Sequence, residues 1–128
     1  MKRIAIQIGR VSIGLMLTCL VFSSTRAQGL SQFKKSFKLI ENVKGTQCES
    51  SSSILLKFKN TTAETMDFQY AIQDENGTWQ TGFISAVEQG KDTGNISACK
   101  SNGRFKWWAR PSSKALEYKF PNKSDLNE

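Results

Sequence analysis

Histidine is absent from this chain of 128 residues. That absence excludes Ser-His-Asp and Cys-His nucleophiles, imidazole acid/base work and His-ligated metal sites in one step. Long apolar runs are also missing. The longest, Val11 to Phe22, has about a dozen apolar residues, whereas a membrane-spanning helix needs roughly 20. There is no repeat at a fixed period and no heptad pattern, and nothing after the first 27 residues has amphipathic helical spacing.

The opening segment, with Met1-Lys2-Arg3, Arg10, the apolar stretch and then Ser23-Ser24-Thr25-Arg26-Ala27, reads as a secretory signal peptide cut after Ala27. The expected chain is therefore exported, secreted or periplasmic. Cys19 lies in that apolar stretch, but Thr18 before it is a poor match to a lipoprotein cleavage motif. Residues 1–27 hold four of the 18 basic side chains (Lys2, Arg3, Arg10, Arg26) and no acidic one, so 14 basic groups remain against 11 acidic and the net charge falls from +7 to +3. Composition alone therefore does not make the mature chain a nucleic-acid binder, and any electrostatic function depends on where the charges sit.

Residues 28–121 fit one domain, with 122–128 expected to be a polar C-terminal tail and the tetraserine Ser50–Ser53 a loop. Signal removal leaves Cys48 and Cys99, an even pair that in an exported domain reads as one disulfide. Two free thiols are the plain alternative. Zinc would want two more Cys or His ligands, and the mature chain has none.

The hydrophobic pattern has period two, as half-buried strands require. Ile54, Leu56 and Phe58 alternate with polar Lys57 and Lys59, and Met66, Phe68, Tyr70 and Ile72 alternate with Asp67, Gln69 and Gln73. After "DENG" come Trp79, Thr81 and Phe83, and Asn76-Gly77 signals a tight hairpin turn. An even-length loop would set Tyr70 opposite Phe83 and Ile72 opposite Thr81, with both stripes on one face; a three-residue loop would turn one stripe outward. Further strands are expected around Phe37–Val43, Asn95–Cys99, Arg104–Arg110 and Leu116–Phe120. Six or seven short strands point to an all-β fold, a small antiparallel Ig-like β-sandwich with one disulfide, or alternatively a small closed β-barrel. The spacing Cys48, Trp79, Cys99 superficially resembles the immunoglobulin pattern, but a tryptophan 31 residues after the first cysteine is late for the antibody type.

Asp67, Asp74, Glu75, Glu88 and Asp92 read as turn residues or solvated strand faces rather than the converging carboxylate pair of a glycosidase. "DENG" offers oxygens at Asp74 and Asn76, but the next calcium-loop position is Thr78, already on a strand. No catalytic residue, cofactor or metal is expected, and the chain reads as a non-enzyme. The sequons at Asn60, Asn76, Asn95 and Asn122 are read as silent, because the signal peptide has bacterial character.

The strongest functional pattern is "RFKWWAR", residues 104–110. On a strand, Phe105, Trp107 and Ala109 face the core, while Arg104, Lys106, Trp108 and Arg110 share the other face. Three cations around an indole would hold a polyanion or glycan, with Trp108 as a stacking plane. A solvated basic face is the plain alternative. If "SNG" is a three-residue loop with Gly103 left-handed, Cys99 falls opposite Phe105 on the core side and Trp108 is exposed. The expected function is thus an exported binding or interaction module of unknown partner, with two sharper alternatives. One is polyanion or glycan binding through 104–110, and the other is inhibition or assistance of a secreted partner through the loop 86–95.

Overall fold

The computed structural model describes residues 29–126, so the signal-peptide expectation for 1–27 lies outside the described residues. Among the described residues six strands form: β1 (Phe37–Lys44), β2 (Ile54–Asn60), β3 (Met66–Gln73), β4 (Trp79–Val87), β5 (Ile96–Ala98) and β6 (Phe105–Pro111). They make two antiparallel three-stranded sheets, β1-β2-β5 and β4-β3-β6, and not a closed barrel. Short 3-10 segments occupy Leu30–Ser36, Ser112–Lys114 and Lys123–Leu126. No helix among the described residues is long and apolar enough to cross a membrane.

Period-two alternation places the core. Ile54, Leu56 and Phe58 of the first sheet and Phe68, Ile72 and Ala109 of the second are each at most 3% exposed and share one apolar cluster. The Phe58 ring centroid lies 4.9 Å from that of Phe68 and 5.0 Å from that of Trp107. Asn60, at the end of β2, is also fully buried. Its amide donates to the carbonyls of Glu64 (2.8 Å) and Val87 (2.9 Å), and its side-chain oxygen accepts from the Thr62 N–H and hydroxyl. A buried amide with every group paired anchors the crossover 61–65 from one sheet to the other.

The β3–β4 hairpin corrects the expected register. Its loop is the odd one, Glu75-Asn76-Gly77, closed by Asp74 N–H donating to Thr78 O (2.9 Å) and Gly77 N–H donating to Asp74 O (3.1 Å). Gly77 takes the left-handed position at φ +86°, and the Asp74 carboxylate accepts from the N–H groups of Asn76 and Thr78. Tyr70 therefore pairs with Gly82 and Ile72 with Gln80, so Trp79, Thr81 and Phe83 face away from the main core. Local carboxylate capping and the glycine at its third position favour this loop over a two-residue turn.

The outward stripe is covered at Trp79 and only partly at Phe83, which stays 52% exposed. Trp79 is 6% exposed and clusters with Ala71, Leu126 and the half-buried Trp108. The cover is the C-terminal segment, which is neither the strand expected at Leu116–Phe120 nor a free tail after Pro121. After Ser112–Lys114 the chain turns, Tyr118 N–H bonding back to Lys114 O. It then crosses the sheet, where Gln69 Nε2 donates to Pro121 O (2.9 Å) and Phe120 meets Phe83 at 5.9 Å. Its last described residue, Leu126, is 5% exposed.

Cys48 and Cys99 form the disulfide, with Cα atoms 5.5 Å apart. It joins the β1–β2 loop to the residue after β5, both exposed and both at one end of the same sheet. The expected pairing of Cys99 with Phe105 does not occur, because β5 and β6 belong to different sheets. Residues 99–104 are a crossover rather than a hairpin, although Gly103 does take a positive φ of +91°.

Candidate binding cleft

β6 pairs with β3 so that Asp67 meets Arg110, Gln69 meets Trp108 and Ala71 meets Lys106. With Trp79, Thr81 and Phe83 of β4 these residues form the outer face of the second sheet. The four expected ligand residues do lie on that face, but they divide in two.

Arg110 is committed internally. Its Nε donates to Asp67 Oδ2 (3.1 Å), its Nη1 donates to Tyr118 O (2.9 Å), and its guanidinium lies 4.2 Å over the Phe120 ring. Asp67 is 6% exposed. Burial pushes its carboxyl pKa up, but hydrogen bonds from the Ser112 hydroxyl, the Ala86 N–H and Arg110 outweigh that and hold it below 3.8. Trp108 is likewise half-buried in the cluster with Ala71, Trp79 and Leu126 rather than open as a stacking plane.

Arg104 and Lys106 remain exposed. They border a cleft of about 410 Å³ between the start of β6, Trp79 and Leu126, with Gln73 and Gly103 in its wall and, among the described residues, no carboxylate in its lining. Lys106 Nζ sits 5.0 Å over the Trp79 ring, so the indole fixes the ammonium near the opening while its own face is covered. The backbone here is firmly held. Gln73 N–H donates to Arg104 O (3.0 Å), Ser101 Oγ donates to Gln73 O (2.7 Å), and Asn102 Nδ2 donates to Gln73 Oε1 (2.7 Å). The cleft can therefore present two cations to an anionic group from a fixed frame, with the Gln73 amide held by Asn102 and by Gly77 O.

Gln73, Trp79 and Leu126 were not legible as cleft residues. Trp79 follows from the odd hairpin loop, and Leu126 carries no periodic signal at all. Asp67 could have been found: period two puts it on the same face as the cations of β6, where an acidic side chain among basic neighbours implies an ion pair.

The loop 86–95 runs along the end of β2 rather than standing free. Asn60 N–H donates to Lys91 O (2.9 Å), Gly90 N–H donates to Asn60 O (3.1 Å), and Thr93 N–H donates to Phe58 O (2.8 Å). Among the acidic residues weighed as catalytic, Asp74 closes its hairpin and Asp92 accepts from Gly94 N–H at 2.8 Å. Comparison of the chain with protein families, with characterised proteins and with solved structures finds no match.

Proposed function

We propose that this chain is an exported, non-catalytic binding module built on an Ig-like sandwich, and that it holds a polyanion through Arg104 and Lys106. The observation that carries this reading is the cleft at the start of β6, where both cations stand exposed and, among the described residues, no carboxylate lines the wall. The disulfide is compatible with an oxidising, exported setting. An anionic ligand is favoured over a neutral sugar because neither Trp79 nor Trp108 offers an open face for stacking. Trp108 and Arg110 support the site by holding its floor and its C-terminal cover.

The test is retention of the mature chain on a heparin-type matrix across a salt gradient. Changing Arg104→Ser together with Lys106→Ser should lower the eluting salt. Changing Lys114→Ser with Lys119→Ser removes the same charge from exposed positions outside the cleft and should leave elution close to native. Equal elution of all three proteins, or an equal loss in both variants, would overturn the cleft as the site.

A further inference from the structure

Each sheet of this fold has two edge strands, and three of the four are protected. β1 carries Lys38, Glu41 and Lys44 and a bulge between Leu39 and Glu41. β5 has only three residues. β6 is packed against the 3-10 segment Leu30–Ser36, with Lys34 Nζ 4.9 Å over the Trp107 ring. Charges, bulges, shortness and cover are the devices by which edge strands avoid pairing with another chain.

Along most of its length β4 has none of these on its hydrogen-bonding edge, although the C-terminal segment packs on its outer face, with Phe120 at 5.9 Å from Phe83 and Leu126 in the cluster with Trp79. It is nine residues long, "WQTGFISAV", without a charged residue or a proline; its irregularity, at the left-handed Ala86, comes only near its end. No backbone hydrogen bond from another segment of the described residues reaches 79–85 beyond the β3 ladder. It is also the edge farthest from the basic strand, since β3 lies between β4 and β6.

We propose that two copies of this chain associate by antiparallel pairing of their β4 edges, making one continuous six-stranded sheet about a two-fold axis at Phe83. Ladder parity supports this register. Asp74 and Thr78 are a hydrogen-bonded pair, and bonded pairs alternate with unbonded ones along an antiparallel ladder. Gln80 and Gly82 therefore bond to β3, and Thr81 and Phe83 direct their N–H and C=O groups to the free edge. A two-fold axis at Phe83 sets each Phe83 opposite its own copy as a bonded pair, and Thr81 opposite Ser85. Phe83 is the middle residue of the strand and is 52% exposed even with Phe120 at 5.9 Å and the Arg110 guanidinium at 5.7 Å from its ring, so the pairing brings two half-open aromatic rings together on one face. A second copy is the occupant that the charges favour. An uncharged strand set against itself brings no like charges together, although the whole chain is net positive.

Sedimentation velocity of the mature chain over a concentration series tests this, with a reversible monomer-to-dimer shift expected. Phe83→Glu puts two carboxylates opposite each other at the axis, and Thr81→Pro removes an outward donor that β3 does not use. Either variant should sediment as a monomer with an unchanged far-ultraviolet circular dichroism spectrum. In the native chain, amide exchange at Thr81 and Phe83 should slow as concentration rises, a reading that needs no variant to fold. A native chain that stays monomeric up to millimolar concentration, a dimer that persists in both folded variants, or exchange at these amides independent of concentration would overturn the proposal.

Discussion

Arg110 and Asp67 show how much one side chain can hold. The guanidinium bonds to the Asp67 carboxylate and to the Tyr118 carbonyl, and it covers the Phe120 ring, so a single residue joins β6, β3 and the C-terminal cover. With Asp67 at 6% exposure, removing one partner strands the other charge in a poorly solvated place. Asp67→Asn should destabilise the protein at pH 7 by about 3 kcal/mol, the low end for broken buried pairs. The pH dependence has a definite sign. The folded carboxyl titrates below its ordinary value, so between the two pKa values the unfolded chain binds more protons than the folded one. The Asp67 contribution is then fully present above about pH 4 and is lost as pH falls through the lower, folded pKa. Urea titrations of native and Asp67→Asn protein should therefore show a gap that narrows from pH 7 toward pH 2. A gap of constant size would mean that the carboxylate charge is not what the residue contributes.

Among the elements, the hairpin β3–β4 and the C-terminal segment depend on each other. The period was legible where the residues alternate, from Met66 to Gln73 and from Trp79 to Phe83; beyond that the irregularity near Ala86 returns Val87 to the core. The relative phase of the two strands was not legible, because it depends on whether Asp74 to Gly77 closes as an even or an odd loop. The odd loop turns Trp79 and Phe83 outward, which would be unfavourable unless something covers them. Leu126 supplies that cover for Trp79, and Phe120 a partial one for Phe83, from a stretch whose sequence, rich in Lys, Asn, Ser and Asp, gives no periodic sign of docking. The same dependence made the candidate ligand residues only half legible: strand parity put Arg104, Lys106, Trp108 and Arg110 on one face, but which of them stay free depends on the returning segment. Leu126→Ala should therefore destabilise the fold by about 2 kcal/mol, the low end for truncating a buried leucine, because a terminal segment can relax. It should also shift tryptophan fluorescence to longer wavelength as Trp79 and Trp108 meet water. Unchanged stability and emission would show that the second cluster does not need its C-terminal member.

At the scale of the whole molecule, the question is what keeps the two sheets together. In an immunoglobulin domain a disulfide crosses the core beside a tryptophan, and the order of Cys48, Trp79 and Cys99 invites that comparison. Here the disulfide ties two exposed loops at one end of the first sheet, while Trp79 lies on the outer face of the second. The sheets are joined instead by the shared cluster of Ile54, Leu56, Phe58, Phe68 and Ile72 and by three crossovers. Asn60 anchors the first (61–65), β2 backbone bonds hold the second (88–95), and Ser101 bridges the third (99–104), its N–H on Ser52 O and its hydroxyl on Gln73 O. The covalent bond should then act mainly on the unfolded chain, by closing a loop between residues 51 apart. Changing Cys48→Ser with Cys99→Ser should lower stability by about 2–4 kcal/mol. The folded state should keep its tryptophan emission and a cooperative transition, because no core contact passes through the sulfurs. The slope of the denaturant transition should steepen, since an uncrosslinked chain exposes more surface when it unfolds. Loss of cooperativity in this variant would show that the core and crossovers cannot join the sheets alone, and would give the disulfide the structural role it has in immunoglobulin domains.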